Sequence, residues 1–184
     1  MNITQEHSYK LPPKELMAIF LNEEFFHTRY KMAGVTNYQI VHFGEKNGKF
    51  LIKIKRNVKI KPPEKLPSVV KKLIEDSNII TTLISWEPSQ GDCHRGEFSF
   101  KVEGMPGEVH GTTIVKPSAV GSTYQLNLTI KTAIPIFGNR IAELVKQKVE
   151  TVLLKDHGFT LEYIEKYHAK PQEGHKSPTL KIVR

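Results

Sequence analysis

The chain has 184 residues, 39% hydrophobic and 25% charged, enough to bury one sizeable core and too few for two ordinary domains. This composition excludes an intrinsically disordered chain, and no run of about 18 apolar residues is present to form a spanning helix. Net charge is +8, and the one cysteine, Cys93, excludes an internal disulfide, so a reducing, cytoplasmic setting is expected. The stretch from Met1 to His7 has no basic region followed by an apolar run, so no secretory leader is expected.

Residues 2 to 10 alternate, with Ile3, Gln5, His7 and Tyr9 on one side, which predicts a first strand stopped by Pro12-Pro13. Two short helices are predicted next, Lys14 to Leu21 and Glu23 to Met32, with Asn22 capping the second and Gly34 ending it. Asn47-Gly48 predicts a two-residue hairpin loop, which sets Phe43 opposite Ile52, Val41 opposite Ile54 and Gln39 opposite Arg56. The Pro-rich segment from Pro62 to Ser68, with a helical patch through Val69, Val70, Leu73 and Ile74, reads as an insert over one sheet edge. The fourth strand, Asn78 to Glu87, puts Ile80, Thr82, Ile84 and Trp86 on one side.

Met105-Pro106-Gly107-Glu108 has Pro and Gly where a type II turn needs them. That turn sets Phe98 opposite Val115, Phe100 opposite Thr113, Val102 opposite Gly111 and His110 opposite Glu103. A loop at Ala119-Val120 sets Val115 against Tyr124 and Thr113 against Leu126. All three registers keep apolar side chains on one face of a simple antiparallel meander. Phe137, Ile141, Leu144, Val145, Val149, Val152 and Leu153 recur at helical spacing, predicting a helix from Pro135 to Leu154. Asp156-His157-Gly158 is expected to break or kink it before a further piece from Phe159 to Tyr167. A domain over residues 1–168 and a polar tail over 169–184 complete the reading.

One late helix must cover most of a large sheet, which favours a hollow grip over a solid core. The registers place Phe50, Ile52, Ile54, Trp86, Phe98, Phe100, Tyr124, Leu126 and Ile141 around one ligand cavity, with Arg56 as its polar anchor for a carboxylate or phosphate. The plainer alternative for Arg56 is a strand-end arginine that reaches solvent or pairs with a glutamate. His7 and Tyr9 would supply acid–base chemistry if they line that cavity, but hydrogen-bonded structural roles explain them more simply. Cys93-His94 lacks a second cysteine or a paired histidine, and no nucleophile elbow, P-loop or dinucleotide fingerprint is present. No metal, cofactor or catalytic residue is therefore expected. Ile136 and Phe137 at the helix opening read as a pin against the sheet rim, with a lid or membrane-touching tip as the alternative.

Lys46, Lys49, Lys53, Lys55, Arg56, Lys59, Lys61, Lys65, Lys71 and Lys72 have Glu64 alone as an acidic neighbour within their stretch. A solvated strand face and loop is the plain reading, and weak contact with an anionic membrane surface is the alternative. Nucleic acid is disfavoured, because no recognition motif or basic strand with interleaved exposed aromatics is present.

Strand, two short helices, six-strand meander and long C-terminal helix occur here together with three local features. These are Gly96-Glu97-Phe98, the run from Val102 to Gly111, and Ile134-Pro135-Ile136-Phe137-Gly138. In these the chain resembles the START-like, or SRPBCC, proteins, which include the plant pollen-allergen proteins and the polyketide-cyclase-like proteins. Within that group it looks like a poorly characterised, mainly bacterial family, over roughly residues 1 to 165. The resemblance implies an α+β helix-grip fold: a curved antiparallel sheet of about seven strands around a long C-terminal helix, with two short helices after the first strand. It also implies a cavity for hydrophobic ligands, though fold analogy does not choose among them. The function expected is a non-catalytic binding or carrier module for a lipid-like or polycyclic molecule. A cyclase- or isomerase-type enzyme in the same cavity, or a protein-interaction domain whose cavity is filled, are the alternatives.

Overall fold

The first strand, β1 (Asn2–Tyr9), buries Ile3, His7 and Tyr9, half-buries Gln5 on the same side, and exposes Thr4, Glu6 and Ser8, as its two-residue period requires. This is a computed structural model describing residues 1–58, 62, 64, 67–68, 71–72, 74, 79–105, 107–132 and 138–168. Val69, Val70 and Leu73 of the expected insert, residues 135–137 of the expected closing helix and the tail 169–184 lie outside the described residues. Helix α1 (Pro13–Phe20) opens on a proline, whose missing N–H would have had no intrahelical partner there. Helix α2 (Glu23–Met32) is capped by Asn22, whose side chain accepts from the Glu24 N–H at 2.9 Å.

Six strands follow: β2 (Tyr38–Lys46), β3 (Lys49–Asn57), β4 (Ile79–Trp86), β5 (His94–Val102), β6 (Gly107–Ser118) and β7 (Gly121–Thr132). They form an antiparallel meander, but the sheet order is β1-β7-β6-β5-β4-β3-β2, so the simple meander needs one correction. β1 joins beyond β7, with Ile3 opposite Leu128 and His7 opposite Tyr124, while α1 and α2 carry the chain from that edge to the other.

At the first hairpin Asn47 and Gly48 both have positive φ, 52° and 75°, and Phe43 faces Ile52 as expected. The register then slips at Val41: a bulge adds one residue to β2, so Ile40 faces Ile54, Gln39 faces Lys55 and Tyr38 faces Arg56. Val41 turns outward and is 43% exposed. The β5–β6 pairing also differs, with Phe98 opposite Gly111, Phe100 opposite Val109 and Ser99 opposite His110. Its loop is longer than the expected two-residue turn, and Gly104 supplies the positive φ of 83° within it. The slip is by an even number of places, so every inward side chain stays inward. The β6–β7 pairing follows expectation, with Val115 opposite Tyr124 and Thr113 opposite Leu126. At Gly111 the two strands come close enough that a Cβ would overlap the Asn127 carbonyl oxygen and sit 2.8 Å from Leu128 Cα.

The long helix, α3 (Gly138–Tyr167), runs unbroken through Asp156-His157-Gly158. A helical glycine costs about 1 kcal/mol relative to alanine. Here packing on both sides offsets it: His157 stacks on His7, and Thr160 and Tyr163 are buried within the next two turns. The middle of α3 packs Ala142, Val149 and Leu153 on Ile3, Val109, Leu126, Leu128 and Ile130. The helices α1 and α2 build a second cluster with Ile52, Ile54, Trp86, Val115 and Tyr163.

Candidate ligand cavity

Between these two clusters the sheet and α3 do not meet, and a cavity of about 900 Å³ remains. Ile54, Arg56, Trp86, Phe98, Phe100, Tyr124, Leu126 and Ile141 line it. Phe50 and Ile52 share the face but do not reach the cavity, because α2 lies over them. Phe26 meets Phe43 at 5.8 Å, Phe43 meets Phe50 at 5.1 Å, and Ile52 is fully buried in the same cluster. Lining residues on α3 run from Ile141 to Thr160, about 28 Å at 1.5 Å per residue, so the cavity is long.

The sheet register orders its two ends. Arg56 shares a row with Ile80 and Val102, at the end where Ile141 packs on Ile74 beside Met105 and Leu144. Three inward rows follow, those of Thr82, Ile84 and Trp86, before the row of Val115, Tyr124 and His7 is reached. Among the described residues the Arg56 end also has Lys131 on the wall, with Glu108 directly across the ladder from it. The Arg56 Nε is buried and has no hydrogen-bond partner among the described residues.

The far end holds a polar cluster of a different kind. Arg29 of α2 and Asp156 of α3 pair at 3.6 Å, with the arginine side chain 15% exposed. Its guanidinium lies 4.9 Å from the Phe26 ring centre and 5.4 Å from that of Phe25. Burial works against its charge, but Asp156, with Tyr30 and Tyr124, more than offsets that and holds the pKa above its usual value. Beside the pair, the His7 and His157 rings stack at 4.4 Å and Tyr9 meets His157 edge-on at 5.0 Å. Burial first, and then His157, brings His7 down to about 4, and burial lowers His157 as well. Burial pushes Tyr124 up to about 12, and burial together with Tyr124 raises Tyr9 further, so both phenols keep their protons. His7 Nε2, His157 Nδ1 and Arg29 Nε are buried without hydrogen-bond partners among the described residues.

Sequence reasoning missed Arg29 and Asp156, which lie on different helices and share no local pattern. One signal was available: Arg29 follows Phe25 by four and Phe26 by three, which places it on the apolar face of α2. The lysine-rich stretch also reads differently in three dimensions. Lys49 lies 3.7 Å from Glu87 and 3.8 Å from Glu97, and Lys55 lies 3.0 Å from Glu103, so neighbouring strands supply the acids that the local sequence lacks. Among the described residues no three of His, Cys, Asp or Glu gather as metal ligands, and no helix is long and apolar enough to cross a membrane.

A curved antiparallel sheet of seven strands gripping a long C-terminal helix, with two short helices after the first strand, is the helix-grip fold that START-like proteins share. The family model described as protein of unknown function DUF2505 matches residues 4–164, and the chain belongs to that family. No curated protein sequence matches it. Among solved structures it is similar to a protein from Rhodobacter sphaeroides, at 11% identity over 90% of this chain and 92% of that one, with a TM-score of 0.54. It is similar to a STAR-related lipid transfer protein from Xanthomonas axonopodis, at 11% identity over 89% and 85% of the two chains, with a TM-score of 0.53. A Thermus thermophilus protein is 17% identical over 89% of this chain and 99% of that one, with a TM-score of 0.52. At such identities the likeness is one of fold.

Proposed function

We propose that the protein is a non-catalytic binding or carrier module for a hydrophobic small molecule, lipid-like or polycyclic, held between the sheet and α3. The cavity carries this reading: about 900 Å³ lies at the upper end of the roughly 300–1,000 Å³ usual for ligand pockets. Close-packed interiors leave few voids larger than a water molecule, so a space of this size favours an occupant from outside over a self-filled interaction domain. Burial of an alkyl chain contributes about 0.8 kcal/mol for each CH₂, which is enough for affinity without covalent chemistry. The described lipid transfer by the Xanthomonas protein supports the same assignment. At neutral pH the phenols stay protonated and the lowered imidazoles are weak bases, so the polar groups suit recognition better than proton transfer. Arg56 is the anchor for an anionic head, with Ile54, Phe98, Phe100, Leu126 and Ile141 around the apolar body and Phe50 and Ile52 behind them. The free Cys93 fits a reducing, cytoplasmic setting.

Native mass spectrometry of freshly purified protein tests for a bound molecule. Calorimetry with hexadecanoic acid and hexadecanol then tests the anchor. Arg56→Ala should weaken the acid about tenfold or more and the alcohol much less, since a charge-assisted hydrogen bond is lost for the acid alone. Equal losses would remove Arg56 from the site. Ile54→Trp should weaken both ligands by filling the space, and unchanged binding in that variant would argue against the cavity.

A further inference from the structure

Among the described residues the two ends of the cavity differ in charge. Arg29 at the far end is already matched by Asp156 at 3.6 Å, so the pair has no net charge to offer an anion, and the carboxylate would repel one. What this end does offer is uncharged hydrogen bonding. Tyr9 is 3% exposed and His7 6% exposed, both line the cavity, and His7 Nε2 and His157 Nδ1 have no partners among the described residues. A buried polar atom left unpaired costs about 1–3 kcal/mol, so a ligand group that completes these bonds is favoured by more than its own contact.

We infer that the Tyr9, Tyr124, His7 and His157 cluster, set against the Arg29–Asp156 pair, is a second polar subsite that takes an uncharged hydroxyl or carbonyl group at the far end of an elongated ligand. The inference rests on the carrier reading and narrows its ligand class: an apolar body with an acid at the Arg56 end and a neutral oxygen at the other. The protonated phenols donate to that oxygen, and an imidazole nitrogen accepts from it when it is a hydroxyl. The distance is suitable for a long chain, because the Arg56 and Tyr124 rows stand eight residues apart in the ladder, about 26 Å of strand, with side chains reaching inward from both ends.

The probes are hexadecanoic acid, its ω-hydroxy derivative and the corresponding α,ω-diacid, titrated calorimetrically into the full chain at pH 7. All three carry the carboxylate that Arg56 would hold and differ at the other end alone. The ω-hydroxy acid should bind about tenfold tighter than hexadecanoic acid, the worth of about one net hydrogen bond, although a hydroxyl would weaken binding in a purely apolar cavity. The diacid should bind more weakly than the ω-hydroxy acid by a similar factor. In Tyr9→Phe/Tyr124→Phe, which keeps both rings, the preference for the hydroxyl should fall to within twofold, read as the ratio of the two affinities in the same variant so that any change common to both probes cancels. Hexadecanoic acid binding as well as the ω-hydroxy acid, the diacid binding tightest, or the preference surviving in the double variant would each overturn the subsite and leave the carrier reading standing. Failure of all three probes to bind would overturn the subsite, and the absence of any bound molecule by native mass spectrometry as well would overturn the carrier reading with it.

Discussion

Asp156→Asn keeps the shape of the side chain and removes the charge that Arg29 depends on. At 3.6 Å two unit charges attract by about 4–5 kcal/mol at an effective dielectric of about 20. Asp156 is 36% exposed, so water screens part of this attraction, and the cost of desolvating the pair offsets more of it. The expected net loss is about 2 kcal/mol. For a chain of this size that lowers Tm by roughly 4–8 °C. Arg29→Met/Asp156→Asn should be more stable than Asp156→Asn alone, because methionine keeps the apolar stem against Phe25 and Phe26 and leaves no buried charge. Urea unfolding followed by circular dichroism measures both variants. A single-variant loss below about 0.5 kcal/mol, or a double variant equal to the sum of the two single losses, would refute the pairing as a coupled unit.

Gly111→Ala should destabilise the sheet by about 2–4 kcal/mol, since its Cβ meets the backbone of Asn127 and Leu128 rather than a side chain that can turn away; a change under 1 kcal/mol in urea would contradict that contact. His7, brought down from 6.5 to about 4, stays neutral in the folded chain while its unfolded counterpart takes up a proton. Stability present above pH 6.5 should therefore be lost progressively as pH falls from 6.5 towards 4, and His7→Gln should flatten that part of the pH profile. A profile identical in the variant would assign the loss elsewhere. Binding to anionic vesicles should be weak and should vanish on raising salt from low to physiological strength, because Lys49 and Lys55 already face glutamates and each remaining lysine adds about 1 kcal/mol that salt screens. Strong, salt-independent binding would contradict this.

The inward face was legible in the sequence because a strand's period is two: the β5–β6 register expected from Pro106-Gly107 was displaced, yet Phe98, Phe100 and Val109 kept their side of the sheet. The bulge at Val41 was not legible, since one extra residue leaves the local alternation of β2 looking regular until its partner is known. Gly158 misled for the opposite reason. A local breaker signal was outweighed by tertiary packing through His157 and Tyr163. For the cavity, the hairpins placed Arg56, Trp86 and Tyr124 on one surface, but Phe50 and Ile52 lay under α2, whose position no hairpin determines. The Arg29–Asp156 pair and the lysine partners Glu87, Glu97 and Glu103 belong to contacts between elements distant in sequence, which charge counting along the chain cannot reach.

The pairing of β1 with β7 has a consequence for how the chain reaches this state during synthesis. Thr4 lies opposite Asn127, so β1 emerges from the ribosome long before its partner and must wait, unpaired, while every other strand is made. Closing a loop of that length costs about 2 kcal/mol more entropy than closing a ten-fold shorter one. Until it closes, β7 presents a free ladder edge and the apolar side chains of Leu126, Leu128 and Ile130 lack the Ile3 strand beside them. Nascent chains with β2 to β7 already folded are therefore the species most prone to pair edge to edge with one another.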